Sequence, residues 1–225
     1  MVMQLNEADH AKVSAAIAAA EATSNGEIVA VATPLSDSYH DVALHWAVLV
    51  LFGVLAWAAW CPSCLSWWYN LLLGGWGIEP TLGQLLTLLL LFAAIKFTVV
   101  LLILKWMPLR LALTPRSTKH RRVRRRAVTV FRAAAERRTV GRTGILIYLS
   151  TAERRAEIVA DEAILKVTDE STWGEAMADL LEHVREGCPG DGIVAAIERV
   201  GAVLAEHFPR SAGDTNEIPD KLIEL

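Results

Sequence analysis

The chain has little cysteine and none of the short motifs that mark common enzyme families. Three cysteines among 225 residues are too few for the disulfide framework of a small secreted domain. The sequence contains no phosphate-binding loop, HExxH, GxSxG or kinase motif set, and its histidines are scattered without zinc-like spacing. Ser150 ends a predicted strand and is the one hydroxyl placed like a nucleophile, but nothing in the sequence puts a histidine beside it. Nucleophilic catalysis therefore has no support.

Basic residues are concentrated in one stretch. The formal net charge is −3, yet residues 1–41 carry six acids and one base. Residues 105–142 carry thirteen of the 22 lysines and arginines and a single acid, and residues 150–225 carry seventeen acids against seven bases. A basic block between two acidic blocks indicates a local partner for that block.

Two long apolar runs predict membrane spans. Residues 42–60 carry no formal charge, and residues 85–104 are interrupted only by Lys96. At ~1.5 Å per residue, each run reaches roughly the ~30 Å of a bilayer core. A signal peptide would begin with a basic segment, whereas an acidic stretch precedes the first run. The sequence therefore predicts a transmembrane hairpin over residues 42–108.

Lysine and arginine flank only one side of this hairpin. The connection over residues 61–84 contains neither, whereas the second span is followed by KWMPLRLALTPRSTKHRRVRRR. The basic side is expected to be cytoplasmic, which predicts an integral protein of the cytoplasmic or plasma membrane with both termini in the cytoplasm. A membrane protein partner is a further candidate. Nucleic acid is not expected, because the basic block leaves the membrane directly and has few interleaved aromatic residues.

The lipid bilayer is the first partner that this arrangement predicts. Juxtamembrane arginines attract anionic lipid head groups. The residues predicted to bind them are Arg121, Arg122, Arg124, Arg125 and Arg126.

Two features of the hairpin have more than one interpretation. Lys96 lies near the middle of the second span, where an ionisable group is a functional candidate, although snorkelling toward the interface is the favoured interpretation. Cys61 and Cys64 form a CxxC on the predicted outer face, where an oxidising compartment permits a disulfide or thiol exchange. A structural disulfide or lipid-facing thiols are favoured, and a redox function stays an alternative.

The residues outside the hairpin predict strands that alternate with helices. A helix that begins with a capping box at Asn6 and Asp9 precedes a strand at 27–33. After the hairpin, a basic amphipathic helix leads to a strand at 145–150, and a third strand follows from residue 156 in hairpin spacing.

Two further helices complete the pattern. One is expected from a capping box at Thr172 and Glu175 to Gly187, and the other from Asp191 to Pro209. Strands alternating with helices indicate a layered α/β or α+β domain.

Several segments outside the hairpin resemble the TPM domain family. They are RTGILIYLS at 142–150, AEIVADEAI at 156–164, HFPR at 207–210 and NEIPD at 216–220, together with GEIVAVAT after the first helix. The resemblance implies an α/β fold, a Rossmann-like TPM-type sheet flanked by helices, interrupted here by the two-helix transmembrane hairpin. Residues 1–41 would supply its N-terminal part and residues 109–225 the basic juxtamembrane helix and the C-terminal part. It also implies membrane tethering, divalent-metal binding in some members and phosphatase activity in some plant members.

Acidic residues at the predicted strand ends are the candidate metal ligands. Ca²⁺ and Mg²⁺ take several oxygen ligands, so their sites need carboxylates that converge. Asp37 follows the first strand, Glu153 lies in the turn after the second, and Asp161 ends the third. Asp41 and Glu162 are neighbouring candidates, and solvated or helix-capping acids are the simpler interpretation. The predicted set is Asp37, Glu153 and Asp161, with Ca²⁺ or Mg²⁺ as the candidate ion.

These observations predict a non-enzymatic, membrane-tethered TPM-like domain that acts as a binding or accessory module, with a divalent cation as one candidate ligand. A metal-dependent phosphatase is the first alternative. A redox function of the CxxC on the outer face is the second.

Overall fold

The computed structural model describes residues 5–73, 79–134, 143–168, 170–211 and 219–225. The chain divides into two compact units. Unit 1 consists of residues 1–38 and 116–225, and unit 2 consists of residues 39–115. The sequence predicts this division at 41/42 and 108/109, three and seven residues away from these boundaries.

Thirteen helices and strands follow one another along the described residues. They are α1 (Glu7–Glu21), β1 (Glu27–Thr33), α2 (His40–Trp60), α3 (Pro62–Leu72), α4 (Leu82–Ile103), α5 (Met107–Ala112), α6 (Arg116–Ala134), β2 (Gly144–Ser150), β3 (Arg155–Ala160), α7 (Glu162–Leu165), α8 (Glu170–Glu186), α9 (Pro189–His207) and β4 (Leu222–Glu224).

Unit 1 is built on a four-stranded sheet in the order β3-β2-β1-β4. β1 pairs in parallel with β2, from Glu27 opposite Gly144 to Thr33 opposite Ser150, and it pairs in parallel with β4 on its other side. β3 runs antiparallel to β2, as the hairpin spacing predicts. β4 was not predicted, because three residues are too few for a periodic pattern and only pairing with β1 defines them as a strand.

The core of unit 1 lies on both faces of the sheet. Along β1, Ile28, Ala30 and Ala32 belong to one apolar cluster, which includes residues of α1, α8 and α9. Val29 and Val31 face the other way and belong to a second cluster with Val123, Ala127 and Phe131 of α6. Successive strand residues point to opposite faces, so a strand covered by helices on both sides is apolar throughout. The predicted α/β sheet flanked by helices is confirmed.

The helix starts differ from the sequence prediction in two places. The capping box at Asn6 and Asp9 is present in α1. The one predicted at Thr172 and Glu175 is wrong, because α8 already begins at Glu170. Similarly, α9 begins at Pro189 rather than at Asp191. Proline suits the first turn of a helix, where its missing N–H has no intrahelical partner to lose.

Unit 2 contains two helices that are long and apolar enough to cross a membrane. α2 and α4 have mean hydropathies of 2.1 and 2.7 over their most apolar stretches, and few residues of those stretches are buried. They match the predicted spans 42–60 and 85–104 within a few residues. Between them, a disulfide joins Cys61 to Cys64, with a Cα–Cα distance of 5.3 Å. This disulfide joins the residue before the short helix α3 to the first turn of that helix.

Candidate functional site

Buried and half-buried polar side chains gather where β1 and β2 end. In open α/β sheets, the crevice outside the carboxyl ends of the parallel strands is the usual place for a ligand. At this edge unit 1 carries Ser36, Tyr148, Ser150 and Glu153, here called the Glu153 network. Backbone hydrogen bonds hold it in place, since Thr151 N–H donates to Thr33 O at 3.0 Å and Ala152 N–H donates to Pro34 O at 3.1 Å.

Glu153 is the acceptor at the centre of this network. Glu153 is buried, with 7% of its surface exposed. Oε2 accepts a hydrogen bond from the Ser36 backbone N–H at 2.9 Å and another from the Ser150 hydroxyl. The Ser36 and Tyr148 hydroxyls share a hydrogen bond at 3.1 Å. Burial raises the pKa of Tyr148, so this phenol stays protonated at neutral pH.

Helix α6 lines one flank of the Glu153 network with positive charge. Arg122 Nη1 donates to Asp37 Oδ2 at 3.1 Å. Lys119 lies one turn earlier on the same flank. Burial lowers the pKa of Lys119, and the neighbouring charges of Arg155 and Arg116 lower it further, while Glu153 opposes that shift. Crowded like charges of this kind favour an anion.

The other flank of α6 pairs with β3. Glu157 is buried, and it lies 3.0 Å from His120 Nδ1 and 3.5 Å from Arg124 Nη1. Burial raises the pKa of this carboxyl, against the lowering effect of His120 and Arg124. Two of the five arginines predicted to bind lipid, Arg122 and Arg124, thus pair with carboxylates of unit 1 itself.

The structure does not bring the three predicted metal ligands together. Asp37 pairs with Arg122, and Glu153 lies beside Ser36 at the same edge of the sheet. Asp161 lies at the opposite edge, where Oδ2 accepts from Gly144 N–H at 3.0 Å. The seven residues of β2 separate this contact from Ser150, a distance of about 20 Å at ~3.3 Å per residue.

Metal chemistry does not fit these residues. A divalent ion needs carboxylate oxygens that converge, whereas Glu153 accepts hydrogen bonds inside the network and Asp161 caps the start of a strand. Within residues 5–73, 79–134, 143–168, 170–211 and 219–225, no group of three or more His, Cys, Asp or Glu is placed to hold a metal ion. The three residues predicted to bind the metal ion of a phosphatase therefore do not form one site.

Sequence reasoning missed a group of carboxyls at the amino end of β1. Glu21 Oε1 accepts from Ile28 N–H at 2.8 Å. Burial is the main cause that raises the pKa of Glu21 to about 8, and the nearby charges of Glu27 and Asp220 add to it. Glu21 follows the last turn of apolar spacing in α1, and no pattern indicates that it turns inward. These carboxyls form a cluster only because the chain returns to Glu21 at Asp220.

The fold and the site define unit 1 as a layered α/β domain whose carboxyl-end edge is polar and flanked by a basic helix. In sequence, residues 109–203 match the family model of the TPM domain. This match runs from α5 into α9 and confirms the predicted resemblance over that stretch.

One solved structure supports the fold independently of sequence. The NMR structure of the BA42 protein from the psychrophilic bacterium Bizionia argentinensis resembles this chain with a TM-score of 0.56. The likeness covers 98% of this chain and 95% of that one, at 17% sequence identity. At this identity the likeness concerns the fold alone. No curated protein matches the chain.

Proposed function

We propose that the protein is a membrane-tethered binding module, anchored by α2 and α4 and holding unit 1 against the cytoplasmic surface. The apolar surface of the two long helices carries the proposal, since Phe52 and Leu90 are 62% and 68% exposed. Water is a poor solvent for such a surface, whereas lipid is a suitable one. The absence of lysine and arginine from the connection 61–84 supports the orientation.

The outward face of α6 supports contact with anionic lipid. Val123, Ala127 and Phe131 mark the buried face of this helix. At about 100° per residue, Arg121 and Arg125 each lie about 160° around the helix from Val123, and both are exposed. Arg122 and Arg124 lie on the flanks and are paired with Asp37 and Glu157. We therefore assign lipid binding to Arg121 and Arg125 first.

The tether is tested by extraction and topology. The full chain is expressed in a bacterial membrane and washed with alkaline carbonate, which removes peripheral proteins. We expect the protein to stay in the membrane pellet. We also expect reporters fused to the two termini to show activity of the kind that requires the cytoplasm. Release into the supernatant, or termini on opposite sides, would contradict the tether.

Lipid contact is tested with a matched pair of double variants in phosphatidylcholine vesicles that contain spin-labelled phosphatidylserine. The Arg121→Gln/Arg125→Gln variant should lose most of the preference for phosphatidylserine, at about 1 kcal/mol per arginine near the surface. The Arg122→Gln/Arg124→Gln variant removes the same charge from the flanks and should keep most of it. Equal losses would show that net charge alone sets the preference.

The two enzymatic alternatives stay predictions. A metal-dependent phosphatase would cleave an aryl phosphate in the presence of Mg²⁺ or Ca²⁺ and lose the activity in Asp161→Asn. A redox function would require the bond between Cys61 and Cys64 to cycle.

A further inference from the structure

A groove runs along unit 2 between α2 and α4. Its volume is about 780 Å³, and its lining includes Trp46, Gly53, Trp57, Trp68, Phe92 and Lys96. Trp68 of α3 packs edge-on against Phe92, with ring centroids 5.8 Å apart, and so closes one part of the wall. The floor is open at Gly53, where an added Cβ would meet nothing within 4 Å. The groove is thus apolar and aromatic with one charged group.

That charged group, Lys96, has no counter-ion among the described residues of unit 2. Asp41, in the first turn of α2, is the only acid of the two long helices. Among the residues that the structure describes, Lys96 takes part in no hydrogen bond or ion pair. An ionisable group at membrane depth is costly unless it pairs or reaches the interface.

The depth of Lys96 decides between these two outcomes. The span ends at Lys105 and Trp106, residue types that anchor a helix at the interface. Lys96 lies nine residues before Lys105, which is about 14 Å along a helix. A lysine side chain is shorter than this distance. Snorkelling therefore brings the ammonium group of Lys96 closer to the head groups but does not reach them.

We propose that the groove receives a transmembrane helix of a partner protein that carries an aspartate or glutamate at the depth of Lys96. This inference rests on the membrane tether proposed above. Charge complementarity selects the occupant. A second copy of this chain would bring another Lys96 and no carboxylate to that depth, and lipid phosphates lie at the surface rather than inside the hydrocarbon. The aromatic lining of the groove then supplies apolar contact to the bound helix.

A model helix tests the proposal with the full chain in phosphatidylcholine vesicles. The probe is a leucine-alanine peptide of about 20 residues with one glutamate at its centre, and the matched control has glutamine there. Cys188, which is free and exposed, carries the donor fluorophore, and the peptide carries the acceptor. We expect the glutamate peptide to bind at least tenfold more tightly than the glutamine peptide.

Variants of the chain assign the binding to the groove. Lys96→Leu should abolish the difference between the two peptides, and Lys96→Arg should keep it. Gly53→Leu fills the groove and should weaken binding of both peptides. Gly83→Leu is the matched control, because a Cβ at Gly83 also meets nothing within 4 Å and Gly83 does not line the groove.

Three results would overturn the inference. They are equal binding of both peptides, an unchanged preference in Lys96→Leu, and competition by added phosphatidylserine as strong as that of unlabelled glutamate peptide, which would assign Lys96 to lipid. Carbonate extraction of the same vesicles separates the two proposals. If the chain is extracted, the tether and this inference fail together, whereas a retained chain without peptide preference contradicts the inference alone.

Discussion

Unit 1 and unit 2 hold similar apolar residues in opposite surroundings. All seven residues of β1 and all seven of β2 are buried beneath helices. In α2 and α4, side chains of the same kind remain exposed, with Leu49 at 59% and Leu90 at 68%. A high apolar content therefore does not define a core. In unit 1 the protein itself covers the apolar residues, whereas in unit 2 many of them are exposed to the surroundings.

The two units also treat polar groups differently. Unit 1 buries carboxyls, namely Glu21, Glu153 and Glu157, and gives each of them hydrogen-bond donors or cations. The long helices of unit 2 bring one ionisable group, Lys96, to their middle. Buried polar groups cost free energy unless they are paired. The stability of unit 1 should therefore respond to the protonation and replacement of its carboxyls.

The largest expected effect is the pH dependence of unit 1 through Glu21. Its pKa is about 8 in the folded chain, against an ordinary value of about 4.5 for a glutamate in water. Between these values the folded chain binds one more proton than the unfolded chain, so stability falls as pH rises. At about 1.4 kcal/mol per pH unit, the loss between pH 5 and pH 8 should reach up to about 4 kcal/mol.

This dependence can be measured by urea unfolding, followed with a fluorophore on Cys188. Glu21→Gln keeps an acceptor for Ile28 N–H and removes the titration, so its stability should change little over the same range. A wild-type curve that is flat, or that rises with pH, would contradict the assignment.

The second effect contrasts one leucine from each unit. Leu149 in β2 is fully buried, so Leu149→Ala should lower the free energy of unfolding of unit 1 by about 3 kcal/mol through lost contacts and a cavity. Leu90→Ala makes the same chemical change on the exposed surface of α4. It should alter the free energy of unfolding by less than about 0.5 kcal/mol. Urea unfolding in detergent gives both values. A comparable loss at Leu90 would mean that the two surfaces do not differ as described.

The third effect tests the Glu153 network. Glu153→Ala leaves the Ser36 N–H and the Ser150 hydroxyl without their acceptor, so unit 1 should lose about 2 kcal/mol. Glu153→Gln retains an oxygen at that position and should cost less than the alanine variant. Glu175→Ala is the control, since that side chain is 71% exposed. If all three variants unfold at the same urea concentration, the network does not stabilise the edge.

The sequence could predict the elements whose residues follow a regular period. β1 and β2 are apolar between their terminal residues, and α2 and α4 are long and uncharged at most positions, so each is recognisable alone. β4 is not, because its three residues become a strand only by pairing with Ala30, Val31 and Ala32 of β1. The capping box at Thr172 and Glu175 fails because a short motif inside a helix resembles one at its start.

The candidate site was less predictable than the fold, because its contacts join distant parts of the chain. Arg122 is 85 residues from Asp37, and a transmembrane hairpin is predicted between them. Strand-end acids could be found in the sequence, but which edge of the sheet each one reaches depends on strand direction. Asp161 follows an antiparallel strand, and for that reason it lies at the opposite edge from Glu153.

The smallest expected effect concerns the disulfide of unit 2. Cys61 and Cys64 are three residues apart, and a closed loop this short removes little entropy from the unfolded chain. Both lie in unit 2, so Cys61→Ser/Cys64→Ser should change the free energy of unfolding of unit 1 by less than about 0.5 kcal/mol. Urea unfolding followed with a fluorophore on Cys188 measures this free energy, because the variant keeps that thiol. A larger change would show that the disulfide stabilises unit 1 as well, and the separation of the two units would then not hold for their stability.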